Sequence, residues 1–277
     1  MNSGSKNTAD KPEETAGVGS YKEISHKFTF PIQLLNNLAP KHRIYGLVEI
    51  EITKARNFIS EREAKNGEKL SFTGWVIKCI GQAVSEHKEV QALRKGKTKL
   101  VIFDDVDVGM IVEKKSKSGR IPTQYCVRKA NEKSFRQIHD EIRNAQKADT
   151  ADSIASGKRK SSSDSALRRL PGPFRWLFWR KFRKDPFLRK KFMGTVGVTA
   201  VGMFGKGGGW AIPVGLHPVV FALGGINTKS RGPSNPSSMG EFLNMTVMFD
   251  EEVTFGAPAT RFLARLAELM ETGFGLE

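Results

Sequence analysis

MFDEEVTFGAPATRF, running from Met248 to Phe262, joins the end of an apolar strand pattern to the start of an amphipathic helix. Upstream, Leu243 to Phe249 reads as a strand. Downstream, Phe262, Leu263, Leu266, Leu269 and Met270 recur at helical spacing until Gly273, a residue suited to a left-handed stop. Two more strand candidates precede this unit, Gly194 to Val201 and Val219 to Ile226. The second half of the chain therefore reads as strands closed by a helix.

The first half has the same mixture. In IYGLVEIEI, Ile44 to Ile52, the residues Val48, Ile50 and Ile52 alternate with Glu49 and Glu51, as a half-buried strand requires. Thr53 is positioned to cap a helix through Ala55 to Ala64. A wide apolar stripe after Ser71 (Trp75, Val76, Cys79, Ile80, Ala83, Val84) predicts a buried helix. Strands are predicted at Lys99 to Phe103 and Val106 to Glu113, with a turn marked by Ser118, Gly119 and Pro122. Ser134 then opens a helix whose inner face is Phe135, Ile138, Ile142 and Ala145, with His139 on its polar side. No regular βαβ repeat appears.

The 277 residues suit one large folding unit with tails or insertions. Residues 1–22 read as a disordered tail and 23–277 as the domain, interrupted by a basic insertion at 147–192. The N-terminal tail has no apolar stretch resembling a secretory signal, and no run is long enough to span a membrane, so a cytoplasmic location is expected, with the membrane surface as an alternative. Cys79 and Cys126 are too far apart in sequence for a redox dithiol or metal-ligand motif and read as core residues; no metal is expected. The formal charge of +16 favours acidic partners without choosing among phospholipid, nucleic acid and phosphorylated ligands.

Taken in order, LSFTGWVIKCIGQAVSEHKEV (Leu70 to Val90), DDVDVGMIVE (Asp104 to Glu113), IPTQYCVRKANEKSFRQIHDEI (Ile121 to Ile142), GTVGVTAVGMFG (Gly194 to Gly205) and the stretch from Met248 to Phe262 resemble the catalytic domain of the dihydrolipoamide acyltransferases of 2-oxoacid dehydrogenase complexes. The resemblance implies an α/β, chloramphenicol acetyltransferase-like fold, a mixed sheet flanked by helices. It also implies coenzyme A or acyl-coenzyme A as ligand and a homotrimer, or a mixed trimer with a paralogue, whose active sites lie between subunits. Thr199 falls where the family carries the hydroxyl that hydrogen-bonds the oxyanion; such a donor is worth roughly 2.7–4 kcal/mol of barrier. An ordinary strand threonine is the alternative. Gly202, Met203 and Phe204 fall near the family's coenzyme A contacts. The following GKGGGW (Gly205 to Trp210) lacks the Ser or Thr of a phosphate-binding Walker loop and reads as a hairpin tip.

The family's C-terminal signature is Phe-Asp, His-x-x-x-Asp-Gly, then a helix carrying Arg-Phe. Phe249, Asp250, Val253, Gly256, Ala257, Arg261 and Phe262 fit it, but Glu251 occupies the histidine position and Phe255 the aspartate position. In the family the histidine takes the proton from the attacking thiol, work for which imidazole is suited and an ordinary carboxylate, with a pKa of ~4.3, is not. Loss of such a base costs about 10²- to 10⁴-fold. Burial of Glu251 would recover part of this. The family aspartate holds the histidine segment through an ion pair that Phe255 cannot make. The expectation is lost or altered catalysis; the alternative is an active enzyme using Glu251 or another non-histidine base. His217, His139, His26, His42 and His87 read as surface or structural histidines.

Between Lys158 and Lys191 stand 13 Lys plus Arg against 2 Asp. The centre, PFRWLFWRKFRKDPF (Pro173 to Phe187), predicts a helix between Pro173 and Pro186 with Phe174, Leu177, Phe178 and Phe182 on one side. Trp176 and Trp179 flank that side, and Arg175, Arg180, Lys181, Arg183 and Lys184 lie outside. Such a helix fits an anionic membrane surface, making the chain an adaptor or scaffold. The alternative is an apolar face packed on protein under a solvated basic rim. Nucleic acid is the weakest reading, since no recognised binding fold is present. The chain contains no recognisable lipoyl or subunit-binding domain.

Overall fold

The computed structural model describes residues 13–15, 19–21, 42–96, 98–116, 119–147, 180–182, 184–201, 208–231 and 237–276. Its centre is a six-stranded sheet of β3 (Arg43–Glu51), β6 (Val108–Ser116), β7 (Gly119–Val127), β8 (Val196–Ala200), β9 (Val219–Ser230) and β10 (Met239–Asp250), in the order β3-β10-β9-β8-β6-β7. β8 runs parallel to both β6 and β9, and the other pairs are antiparallel, so the sheet is mixed. The remaining strands form two hairpins, β1 (Glu13–Thr15) with β2 (Gly19–Tyr21) and β4 (Leu93–Lys95) with β5 (Lys99–Val101). The helices are α1 (Thr53–Asn66), α2 (Phe72–Glu86), α3 (Phe135–Lys147), α4 (Pro186–Met193) and α5 (Gly256–Thr272). This is the α/β class expected, a mixed sheet flanked by helices.

One core explains the arrangement. Ile50 of β3, Val108, Met110 and Val112 of β6, Phe221 and Leu223 of β9, and Leu243, Met245, Val247 and Phe249 of β10 point to the same side of the sheet, and Ile52 just after β3 joins their core. Trp75, Ile77 and Ile80 of α2, Ile138 and Ile142 of α3, and Phe262, Leu266 and Met270 of α5 meet them there. Phe262 lies edge-on to Phe249 at a ring separation of 5.9 Å. Fully burying side chains of this size is worth about 1.5–3 kcal/mol each, so the helices are held by packing. The helix ends follow local chemistry. Ser71 Oγ accepts from Gly74 N at 3.1 Å, Ser134 and Gln137 form a reciprocal capping box, and Gly273 closes α5 at a φ of 75°.

Several expectations change. Ile52, rather than Thr53, precedes α1 as its cap residue; the Thr53 hydroxyl donates to Glu51 and accepts from Glu241 N, tying β3 to β10. Gly119 and Pro122 belong to β7, where Pro122 sits opposite Glu113. An edge strand tolerates a residue without an N–H. β5 ends at Val101 and pairs with β4 outside the main sheet, and β6 begins at Val108. The basic helix does not run unbroken to Pro186: Asp185 leaves helical geometry and caps α4 by accepting from Phe187 N and Leu188 N.

Among the described residues no helix is long and apolar enough to cross a membrane, and no group of three His, Cys, Asp or Glu is placed to hold a metal ion.

Candidate functional site

The end of β10 builds the first part of the site. Asp250 is the last strand residue, opposite Arg43, and its N–H donates to Pro218 O at 2.7 Å. Its carbonyl accepts from Val253 N and Thr254 N, and its carboxylate accepts from Glu252 N, so one aspartate folds the turn that carries Glu251. Burial pushes the Asp250 carboxyl up from its usual range, against the pull of Arg94 and Arg189. Glu252 pairs with Arg94 of β4, fastening the hairpin to this turn. Glu251 is exposed.

Phe255, also exposed, is the N-cap residue of α5; its side chain makes no cap hydrogen bond. The next residue, Gly256, has a φ of 53°, a left-handed conformation that glycine adopts without strain. An acidic side chain at position 255 would satisfy one of the orphaned N–H groups of α5. Phe255→Asp is expected to stabilise the fold by about 1 kcal/mol, raising the midpoint of thermal unfolding by about 2–4 °C. A calorimetric melt of the single variant checks this; an unchanged or lower midpoint contradicts it.

Thr199 is half-buried on β8, in one row with Ala222 of β9 and Thr246 of β10. Asp250 lies four residues beyond Thr246. At about 3.4 Å per residue, Thr199 and the Glu251 turn are separated by roughly 14 Å along the strands, with two interstrand spacings besides. One chain therefore does not bring the expected oxyanion donor and the expected base position to one reacting centre.

Gly202, Met203 and Phe204 lie outside the described residues, as do Arg175, Trp176 and Trp179. Arg180, Lys181 and Lys184 are described and exposed, whereas Phe182 is buried against Phe192, with their rings 5.7 Å apart. At this residue the apolar side faces protein.

The histidines divide. His217 inserts its ring between glycines: a Cβ on Gly109 would lie 3.2 Å from Nε2, and one on Gly197 would lie 2.7 Å from Nδ1. Its Nε2–H donates to Met193 O at 3.1 Å, the tautomer that a carbonyl partner demands. Burial lowers its pKa to about 4, reinforced by the cationic Arg189, so the imidazole is neutral and committed to structure. His139, expected on a polar face, is buried instead, and its Nδ1 accepts from Ser71 N at 3.0 Å. Its position on the helix follows the inner face around Ile138 and Ile142, which is wider than the apolar pattern indicates. Burial also raises the Cys126 thiol to about 12 and pushes Cys79 higher, leaving both protonated.

Sequence reading missed a second charged group. Asp107, buried at the start of β6, accepts from Arg128 at 3.0 Å and from Lys129 N at 2.9 Å, with Lys190 Nζ at 3.5 Å. Arg128 also donates to Lys190 O and Lys191 O, which fixes α4 on the sheet edge. The DDVD run from Asp104 to Asp107 was its only trace in the sequence.

Over residues 37–161 the chain matches the family model for the 2-oxoacid dehydrogenases acyltransferase (catalytic domain). The fold is similar to that of a probable dihydrolipoamide acetyltransferase from Listeria monocytogenes 4b F2365, at 16% identity, covering 91% of this chain and 95% of that one with a TM-score of 0.62. The cubic core of a pyruvate dehydrogenase multienzyme complex matches at 17% identity, over 94% and 97%, with a TM-score of 0.62. The dihydrolipoamide acetyltransferase of Azotobacter vinelandii, whose catalytic mechanism has been investigated through a serine, a histidine and an asparagine, matches at 16% identity, over 95% and 96%, with a TM-score of 0.62. No curated protein matches the chain significantly.

Proposed function

We propose that this chain, which has the acyltransferase catalytic-domain fold of the 2-oxoacid dehydrogenase kind, holds coenzyme A or an acyl-coenzyme A between copies of itself and has lost most of the acyl transfer. The observation that carries this reading is the exposed Glu251 at the position where the family has its histidine. A thiol bound there meets a carboxylate in place of an imidazole, so the thiolate needed for attack forms seldom. Thr199 retains a hydroxyl for the oxyanion, and the neutral His217, bound to Met193 O, is a poor substitute base.

Assembly follows from the same geometry. Thr199 and Glu251 are too far apart within one chain to share a substrate, so a site using both draws them from two copies. Tyr45 and Leu47 of β3 and Ile111 of β6 are exposed on the sheet face turned away from the helices, and Trp210, Ile212 and Val214 are exposed before β9. This apolar surface suits burial against another subunit. A homotrimer is the arrangement implied by the family; a mixed trimer with a paralogue would supply a histidine from a second chain.

Calorimetric titration with coenzyme A and acetyl-coenzyme A, alongside a thiol-release assay and light scattering, tests the reading. Binding by an oligomer with little or no turnover is expected. Transfer at a rate ordinary for active relatives, abolished by Glu251→Ala, would establish the alternative of a working non-histidine base.

A further inference from the structure

The segment before and within α4 forms a basic recess that the acyl-transfer reading does not use. Lys95 of β4, Arg180, Lys181, Lys184, Asp185, Pro186 and Phe187 line a cavity of about 390 Å³. That is room for a small phosphorylated group and more than a single ion needs. Four cations face one carboxylate, and the carboxylate is engaged: Asp185 Oδ1 accepts from Phe187 N at 3.0 Å and Leu188 N at 3.1 Å. Lys181 and Lys184 have no acidic partner among the described residues. The charge of these two lysines is therefore not offset by a carboxylate among the described residues.

The walls are anchored. Phe182 and Met193 are buried in a small cluster with Leu188, Phe192 and Leu216. Arg189 donates to Leu216 O at 2.9 Å, and Arg128 holds the carbonyls of Lys190 and Lys191. Across the recess, Phe187 stands edge-on to Phe103 at 5.8 Å, with Lys95 Nζ 5.6 Å from its ring centre. Cations on β4 and on the segment that Phe182 pins just before α4, beside an exposed aromatic ring, favour a compact anion attached to a less polar body. A long flexible polyanion would gain little from such a small recess.

We propose that this recess binds a phosphate group carrying at least two negative charges, supplied either by a soluble phosphate ester or by a phospholipid headgroup. The inference is independent of the acyl-transfer reading, because none of its residues belongs to the Thr199 or Glu251 positions. Each cation near such a surface contributes about 1 kcal/mol, so removing two is expected to weaken binding roughly 10- to 30-fold.

The test uses the full chain, with inorganic pyrophosphate in calorimetry and vesicles of phosphatidic acid, whose phosphomonoester carries up to two charges, with phosphatidylcholine in flotation. Lys181→Ala/Lys184→Ala is compared with Lys54→Ala/Lys65→Ala, which removes the same charge from exposed positions on α1. Loss of pyrophosphate binding in the first variant alone supports a soluble phosphate ligand. Vesicle binding lost in the first variant alone, and displaced by pyrophosphate, supports the headgroup. Equal weakening in both variants, or no binding of either probe by the wild type, overturns the proposal.

Discussion

Glu251→His/Phe255→Asp is expected to release thiol from acetyl-coenzyme A about 10²- to 10⁴-fold faster than the wild type in the presence of an acyl acceptor such as dihydrolipoamide. The turn that would carry the new imidazole already exists, because Asp250 folds it through its carbonyl and carboxylate. The second substitution supplies the carboxylate that the family uses to hold this segment and also caps α5. In the proposed site the oxyanion donor is the native Thr199, so Thr199→Val in the background of the double variant should remove most of the gain. A stopped assay of free coenzyme A, separated from the dithiol acceptor, for the three proteins checks the whole set. If the double variant binds coenzyme A and turns over no faster than the wild type, the proposed role of the missing imidazole is wrong.

Acid sensitivity should trace largely to His217. Its folded pKa of about 4 lies below the ordinary value of 6.5, so between those limits the unfolded chain binds a proton that the folded chain refuses. The stabilising contribution is fully present above pH 6.5 and is lost as pH falls toward about 4. A depression of this size corresponds to about 3 kcal/mol. Arg189 on α4 acts in the same sense, since a second cation opposes protonation of the ring. Asp250, whose carboxyl is raised, acts in the opposite sense at the acid end, and His139 adds a further lowered imidazole. His217→Gln keeps an N–H for Met193 O while removing the titration. Urea unfolding at a series of pH values should therefore show a shallower fall for the variant between pH 6.5 and 4. Parallel curves would mean that His217 is not the source.

The two predictions bear on different questions. The first asks whether chemistry was lost at one side chain. The second asks whether the imidazole of His217 is structural, which removes it as a substitute base. A protein whose acid lability follows His217 while its activity follows Glu251→His satisfies both.

How far the residues alone carry this account differs from element to element. The strand alternation around Val48 to Ile52, the buried stripe of α2 and the apolar side of α5 were legible because each is a local periodicity in which every residue contributes one position on a face. Glu251 and Phe255 were legible for a related reason: both sit at fixed spacing from Phe249, Asp250, Gly256 and Arg261. The membership of Pro122 in β7 was not, because its tolerance depends on which strand becomes the sheet edge, and that is set by distant pairing. Thr53 looked like a cap because its partners Glu51 and Glu241 are brought together only when β10 joins β3.

By itself the sequence determined the class of fold, the order of most elements and the identity of the side chains at positions 251 and 255, since these follow from short-range patterns and covalent order. Only the tertiary structure decided that Thr199 and Glu251 lie at different ends of the sheet, that His217 is enclosed between two glycines, and that Lys95 faces Lys181 and Lys184 across a recess. Each of these joins segments separated by many residues, and the free energy that brings them together comes from the shared core of Ile50, Trp75, Phe221, Phe249 and Phe262.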